Sequence, residues 1–450
     1  MNNFSFRLIL ICLLCSIRIS IIAQDRTELI SETDFHFLED MTKVIIDSSR
    51  ILPGQRISIS FGPNNLGITL IRPGARDAYP SFWIRDYAMS IETGFISMEE
   101  QKNMLLLTAI TQCDQTWTTK GGAMVPRGAI ADHIRIDDGL PIYYPGTYDY
   151  VEQGDGRFGF TPPYCDQFYF IHMANHYIEQ THDSNFLLEE VNGIRLIDRL
   201  ENAFAVVPTN GKTELVYTHD AFRGVDFGFR DAIIITGDLC LPSILKYKAA
   251  LHLSNCFRLI EQKQKSAHYL EIAKKIKSSI ASAFQNEKGM LKSSTGKSQQ
   301  ADVWATALAI YYDMLDREQT TKASRALALG YKGGALSYHG NIRHVMTFDD
   351  FNKETMWEVS LAEKNTYQNG AYWGTPVGWV CYAMAKTDLA SAKKLADEYI
   401  ADLKLHDFRK GGEEGAPFEC FTSNGGQQNP LYMTTVASPY IVFKKMTENN

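Results

Sequence analysis

One pattern limits what this chain can become more than any other. From Glu32 to the C-terminus, apolar residues recur at helical spacing in segments that come in pairs joined by short turns. Glu32–Ser48 opens the series, with Phe35, Leu38, Met41, Val44 and Ile45 on its apolar side. After Tyr79–Asp86 a helix is expected to run to Phe95, and Glu99–Trp117, Cys165–Gln180, Ser184–Val206, Asp231–Phe257 and Glu261–Phe284 follow. Gln300–Leu315, Glu318–Leu329, Thr375–Ala385, Leu389–Leu403 and Asn429–Lys445 complete the set. The total is about twelve, and hairpins in that number predict an all-α fold, a closed (α/α)6 toroid rather than a simple bundle. Pro242 lies inside Asp231–Phe257, so a kink or break is expected there. Ile51–Ile71 alternates in part between Gly and Pro breaks and predicts a few short N-terminal strands.

Long loops rich in polar and aromatic residues separate the pairs: 118–163, 208–230, 331–374 and 406–429. A stretch as long as 118–163 with no helical period is usually functional when ordered. In a toroid, 118–163, 331–374 and 406–429 are expected at one mouth. No low-complexity linker divides the chain, so residues 24–450 are expected to form a single domain.

Composition narrows the partners. The net charge of −7 comes with no basic block, which argues against a nucleic-acid partner. Aromatics make up 12% of the chain and many fall in loops, where they suit sugar faces or pin the loops down. Residues 1–23 carry Arg7, an apolar run Leu8–Cys15 and a Ser-Ile-Ile-Ala stretch before Gln24, which predicts a signal peptide cleaved after Ala23, although Arg18 interrupts the apolar character. The mature protein is then exported, to the periplasm or the exterior. No other run is long and apolar enough to span a membrane. Cys113, Cys165, Cys240, Cys256, Cys381 and Cys420 are scattered without a CxxC pair, so they read as buried thiols rather than zinc ligands.

Two acidic residues stand in aromatic loops far apart in sequence. Asp226 lies in Ala221–Asp238, between Arg223 and Arg230 and beside Phe227 and Phe229. Apolar neighbours raise a carboxyl pKa and arginines lower it, so such a group is tunable as a general acid. The alternative is a helix cap. Glu419 lies in Pro417–Pro430 with Phe418 and Phe421 as neighbours, and its alternative role is to tie the loop down. One protonated and one ionised carboxyl, held apart in aromatic loops, are what hydrolysis of a glycosidic bond needs.

These residues also carry a resemblance. The hairpin pattern resembles the six-hairpin glycosidase superfamily, and four short stretches match its members. Arg223–Arg230 is similar to the trehalase and glucosidase-I motif that carries the general acid: Gly224, Asp226, Phe227 and Arg230 match, while Val225 replaces Trp and Gly228-Phe229 replace two serines. Tyr372–Trp379 resembles a trehalase sugar-binding stretch, with Trp373, Pro376, Gly378 and Trp379 matching and Gly374 replacing an Asp. Glu419–Gly426 resembles the segment that carries the general base, with Phe421 in place of Tyr. Phe82–Met89 is similar to the Trp-x-Arg-Asp segment that holds the terminal sugar in glucoamylase-like enzymes. The resemblance implies an exo-acting, inverting glycoside hydrolase with Asp226 as acid and Glu419 as base. It implies Trp83, Arg85, Asp86, Arg223, Arg230, Tyr372, Trp373 and Trp379 as sugar contacts.

Other constellations point less far. Asp149 and Glu152 are rival acids within the first long loop. Asp86 with Arg85 reads either as a sugar grip or as an ion pair at a helix start. His172 and His176 have a metal-compatible i, i+4 spacing but no third ligand nearby, so no metal is expected. Asp132, Asp137, Asp138, Asp149 and Asp155 share one loop without EF-hand spacing. No Gly-rich phosphate loop follows a strand, and no cofactor is expected. The alternatives to a hydrolase are an uronyl hydrolase or sugar epimerase on the same toroid, using His172 or His219, or a glycan-binding toroid without catalysis.

Overall fold

The computed structural model describes residues 29–57, 59–74, 79–157, 159, 161–219, 228–411 and 415–448. The expected signal peptide, Arg223 and Asp226 lie outside these. Twelve α-helices occur among the described residues. They are α1 (Glu32–Ser49), α2 (Ile84–Ala88), α3 (Met98–Ile110), α4 (Tyr164–Thr181), α5 (Leu196–Val206), α6 (Cys240–Leu259), α7 (Lys263–Phe284), α8 (Val303–Tyr311), α9 (Arg317–Lys332), α10 (Val377–Ala385), α11 (Leu389–Leu405) and α12 (Met433–Glu448).

The even-numbered helices form an inner ring. Each packs on the next, α2 on α4, α4 on α6, and so on to α12. The short 3-10 turn Ile91–Thr93 that follows α2 touches both α12 and α4 and closes the circle. The odd-numbered helices lie outside, each against its inner neighbours. Burial follows this division. In outer α7 the buried positions Tyr269, Ile272, Ala273, Ile276, Ile280 and Phe284 trace one stripe at the helical period. In inner α8 every residue from Val303 to Ile310 is buried, as expected for a helix covered on all sides. The fold is therefore an all-α toroid of six helical hairpins.

Local chemistry sets the helix starts. Ser97 and Glu100 form a reciprocal capping box on α3, and Asp316 and Gln319 do so on α9. Asp302 caps α8, accepting the Ala305 N–H at 2.9 Å. Pro242 does not break the helix. The helix begins only at Cys240, so Pro242 sits in the first turn, where a missing N–H costs nothing. The segment Ser184–Val206 is also not one helix: a 3-10 turn and a hairpin through Asn192-Gly193, both at positive φ (50° and 75°), precede α5. Asn-Gly is the two-residue hairpin turn, and its local preference overrides the helical period.

Two small antiparallel sheets grow from the loops at one end. The first orders β1 (Ser81–Trp83), β2 (His133–Arg135) and β3 (Pro141–Ile142). The second is a meander of β4 (Ser337–Tyr338), β5 (Asn341–Arg343), β6 (Tyr372–Trp373), β7 (Phe418–Phe421) and β8 (Gln427–Pro430). The strands thus extend well beyond the N-terminal third, and the largest sheet joins the last two long loops.

Candidate active site

β1 runs directly into α2, which delivers Arg85 and Asp86 into the ring with relative exposures of 6% and 1%. β7 leads towards α12 and carries Glu419, exposed by 1%. The turn before α6 supplies Asp231, and the first turn of α4 supplies Asp166. Arg85, Asp86 and Asp166 sit in the first turns of inner helices, whereas Asp231 and Glu419 come from the loop and the strand that precede α6 and α12.

Arg85, Asp86, Asp132, Asp231 and Glu419 line a single cavity of about 230 Å³ together with Tyr79 and Trp83. Glu419 Oε2 accepts the Tyr79 hydroxyl at 2.7 Å and the Asn429 side-chain amide. The Asn429 amide also reaches the Tyr79 oxygen at 3.0 Å, so Tyr79, Asn429 and Glu419 form a closed triangle. Glu419 Oε1 accepts no hydrogen bond from the described residues. Asp86 Oδ1 accepts the Tyr432 hydroxyl at 2.5 Å, and its Oδ2 stands 3.6 Å from Arg85 Nε. Gln368 donates its amide to Asp231 and accepts the Ala232 N–H at 2.6 Å, which fixes both groups. On the far wall His133 Nδ1 lies 2.7 Å from Asp132 Oδ2, and its ring stacks on Trp83 at 4.5 Å.

So many carboxyls around one guanidinium cannot all ionise cheaply. Burial pushes Glu419 up to about 7; Asp86 and Asp231 add to the rise, while Asn429 and Tyr79 oppose it. Burial also lifts Asp86 to about 6, against the pull of Arg85 and Tyr432. Asp231 is raised by burial, with Arg85 and Gln368 opposing. Asp166 rises well above the carboxylate range because it is buried and faces Asp132. Glu419 and Asp86 are thereby brought close to neutral pH, where a carboxyl can serve as either acid or base.

The geometry sorts the sequence-derived candidates. Trp83, Arg85, Asp86 and Glu419 meet in this pocket. Arg230 does not line it: its guanidinium is fully buried, held by Asp302 at 2.6 and 2.8 Å and set over the Trp357 ring at 4.8 Å. Trp373 is likewise fully buried and stacks on Phe229 at 5.4 Å, as core rather than as a sugar wall. Tyr372 packs beside Tyr338 in the meander. Trp379 lines a different cavity, at the opposite end of the ring. Of the rival acids, Asp149 is exposed and accepts the Val151 and Glu152 N–H groups in a turn, while Glu152 pairs with Lys120 at the surface. No group of His, Cys, Asp or Glu suited to a metal occurs among the described residues.

Asp231, Asp132 and Tyr79 are pocket residues that sequence reasoning did not single out for this site. Asp231 had a visible signal, because it is the second carboxylate in the Ala221–Asp238 stretch and follows an arginine. Asp132 and Tyr79 had none beyond their place in aromatic loops.

Comparisons with known proteins agree with this architecture. A solved structure described as a wild-type glycosidase superposes with a TM-score of 0.53 at 12% identity, covering 92% of this chain and 97% of that one. Two variants of a glycosidase superpose with a TM-score of 0.54 at 11% identity over the same shares. The likeness is one of fold. No protein-family model matches the chain, and no curated protein matches its sequence.

Proposed function

We propose that this protein is a glycoside hydrolase that removes a terminal sugar with inversion. The observation that carries the reading is Glu419: a buried carboxyl poised near neutrality, oriented through one oxygen and unengaged by the described residues at the other. In the reaction, Glu419 in its ionised form takes a proton from water as the water attacks the anomeric carbon. Asp231, whose carboxyl burial shifts towards the protonated form, gives its proton to the leaving glycosidic oxygen. Tyr79 and Asn429 hold the Glu419 carboxyl for that transfer. Asp86 and Arg85 grip hydroxyls of the terminal ring, with Trp83 as a stacking wall.

The glycosidase fold of the solved neighbours supports the substrate class. The size of the cavity supports exo-action: about 230 Å³ is below the roughly 300 Å³ at which drug-sized pockets begin. Asp226, expected as the acid, lies outside the described residues; Asp231, one of the carboxyls that share the cavity with Glu419, is proposed for the acid role. Purified protein incubated with a panel of oligosaccharides tests the reading. Release of a monosaccharide, with its anomeric configuration opposite to the bond cleaved in the earliest spectra, is expected. Release of the same anomer first would mean retention, and no release from any member would refute hydrolysis.

A further inference from the structure

The C-terminal half of the inner ring encloses a second cavity, of about 430 Å³, which the proposed chemistry does not use. Its lining is rich in groups that can carry positive charge. His172 and His176 come from α4, Lys248 and His252 from α6, and Lys445 from α12. Among the described residues, two carboxylates share the lining with them. Glu92 is engaged by Lys445 and stands 3.3 Å from His172 Nε2. Glu179, towards the rim, accepts the Asn255 amide at 3.3 Å. That leaves Lys248 without a carboxylate within ion-pair distance among the described residues; its ammonium lies over the Tyr312 ring at 5.4 Å. His252 is 8% exposed, stacks on His172 at 5.2 Å, and its Nδ1 finds no hydrogen-bond partner among the described residues. An unsatisfied buried nitrogen of this kind is costly unless something occupies it. An adjoining cavity shares Lys248 and Lys445 and adds Asp313 and Lys386, the latter over the Tyr382 ring at 4.0 Å.

We infer that this cavity binds a phosphate monoester of a small molecule. Lysine ammoniums and imidazole N–H groups are point donors that suit a tetrahedral dianion, whereas no arginine fork is present to favour a planar carboxylate. Trp379 and Tyr312, both in the lining, offer the organic part apolar surface. The charges facing the imidazoles explain why an anion is wanted. Burial holds His172 down to about 4 and His252 well below the usual range, with the neighbouring imidazoles, Lys248 and Lys445 adding to the effect and Glu92 opposing it at His172. A dianion among them reverses that balance, so its binding draws protons onto the imidazoles.

Calorimetry on the full chain with inorganic phosphate, glucose 6-phosphate and malonate tests this. Saturable binding of glucose 6-phosphate is expected with a Kd of about 1 mM or tighter, stronger than that of malonate. At a pH of about 7.5, where a monoester with a second pKa of about 6 is already the dianion, net proton uptake is expected. The double variant K248M/H252Q loses at least about tenfold in affinity, since one such contact to a charged group is worth about 1.5–3 kcal/mol. NMR of the wild-type histidine ring protons locates the site even if that variant folds poorly: the signals of His172, His176 and His252 move together on saturation. Tighter binding of inorganic phosphate than of the monoester places free phosphate, not an ester, in the site and overturns the organic part of the assignment. Equal binding of malonate overturns the preference for phosphate. Absence of saturable heat, or a shift confined to other histidines, overturns the site itself.

Discussion

Glu419 is the residue on which the functional reading turns, and its environment makes sharp demands. A general base must be ionised, and burial has moved this carboxyl from 4.5 to about 7. The acid limb of the kcat/KM profile is therefore expected near 7, not near 4.5, and stopped assays across pH check it. Glu419→Gln should lower turnover by roughly 10²–10⁴-fold and recover in part with azide, which replaces the activated water. Asp231→Asn should lose as much on a natural glycoside but little on an aryl glycoside, whose leaving group needs no proton. The opposite pattern would exchange their roles. Asp86→Asn keeps the Tyr432 hydrogen bond but removes the charge beside Arg85. It should weaken substrate binding by about 1.5–3 kcal/mol, read as a rise in KM. A collapse in melting temperature with KM unchanged would make Asp86 purely structural.

At the scale of elements, sequence periodicity was informative wherever a helix has one wet face. The expected Glu32–Ser48 and Leu389–Leu403 differ from α1 and α11 by only one or two residues at the C-terminal end. It was misleading where burial is complete or where a turn residue intervenes. Gln300–Leu315 shrinks to Val303–Tyr311 because all-round apolar character carries no phase. Ser184–Val206 breaks because Asn192-Gly193 prefers a hairpin. The arginine-acid pair at Arg230 shows the same limit for function. A guanidinium flanked by aromatics reads alike in sequence whether it meets substrate or, as here, Asp302 at the cap of α8. Removing one partner strands a buried charge, so Asp302→Ala should cost about 3–5 kcal/mol in denaturant titrations. If stability is unchanged, the pair is not the clamp between the loop before α6 and the start of α8.

For the whole molecule, the count and pairing of helices were enough to predict a ring, because six amphipathic hairpins can bury their stripes only against one another. What pairing could not reveal is which loop residues converge, since Glu419 and Tyr79 are 340 positions apart and meet only when the ring closes. The convergence has a thermodynamic signature. Glu419 and Asp86 hold protons in the folded chain at pH values where the unfolded chain has released them. Folding stability attributable to them therefore falls as pH rises from about 4 to about 7, and the penalty is complete above that. Glu419→Gln should raise the melting temperature more at pH 8 than at pH 5, by an amount worth roughly 1–3 kcal/mol. An equal shift at both pH values would mean that the carboxyl is not held protonated by the fold.

The central claim is that this pocket cleaves glycosidic bonds through Glu419. Time-resolved proton NMR of the anomeric region, run in parallel on wild type and Glu419→Gln with the same oligosaccharide panel, tests it most directly. The account predicts that wild type releases a terminal sugar first seen as the inverted anomer, and that the variant releases it at least about a hundredfold more slowly. Equal rates from the two proteins, or no sugar released by wild type from any substrate, would contradict it.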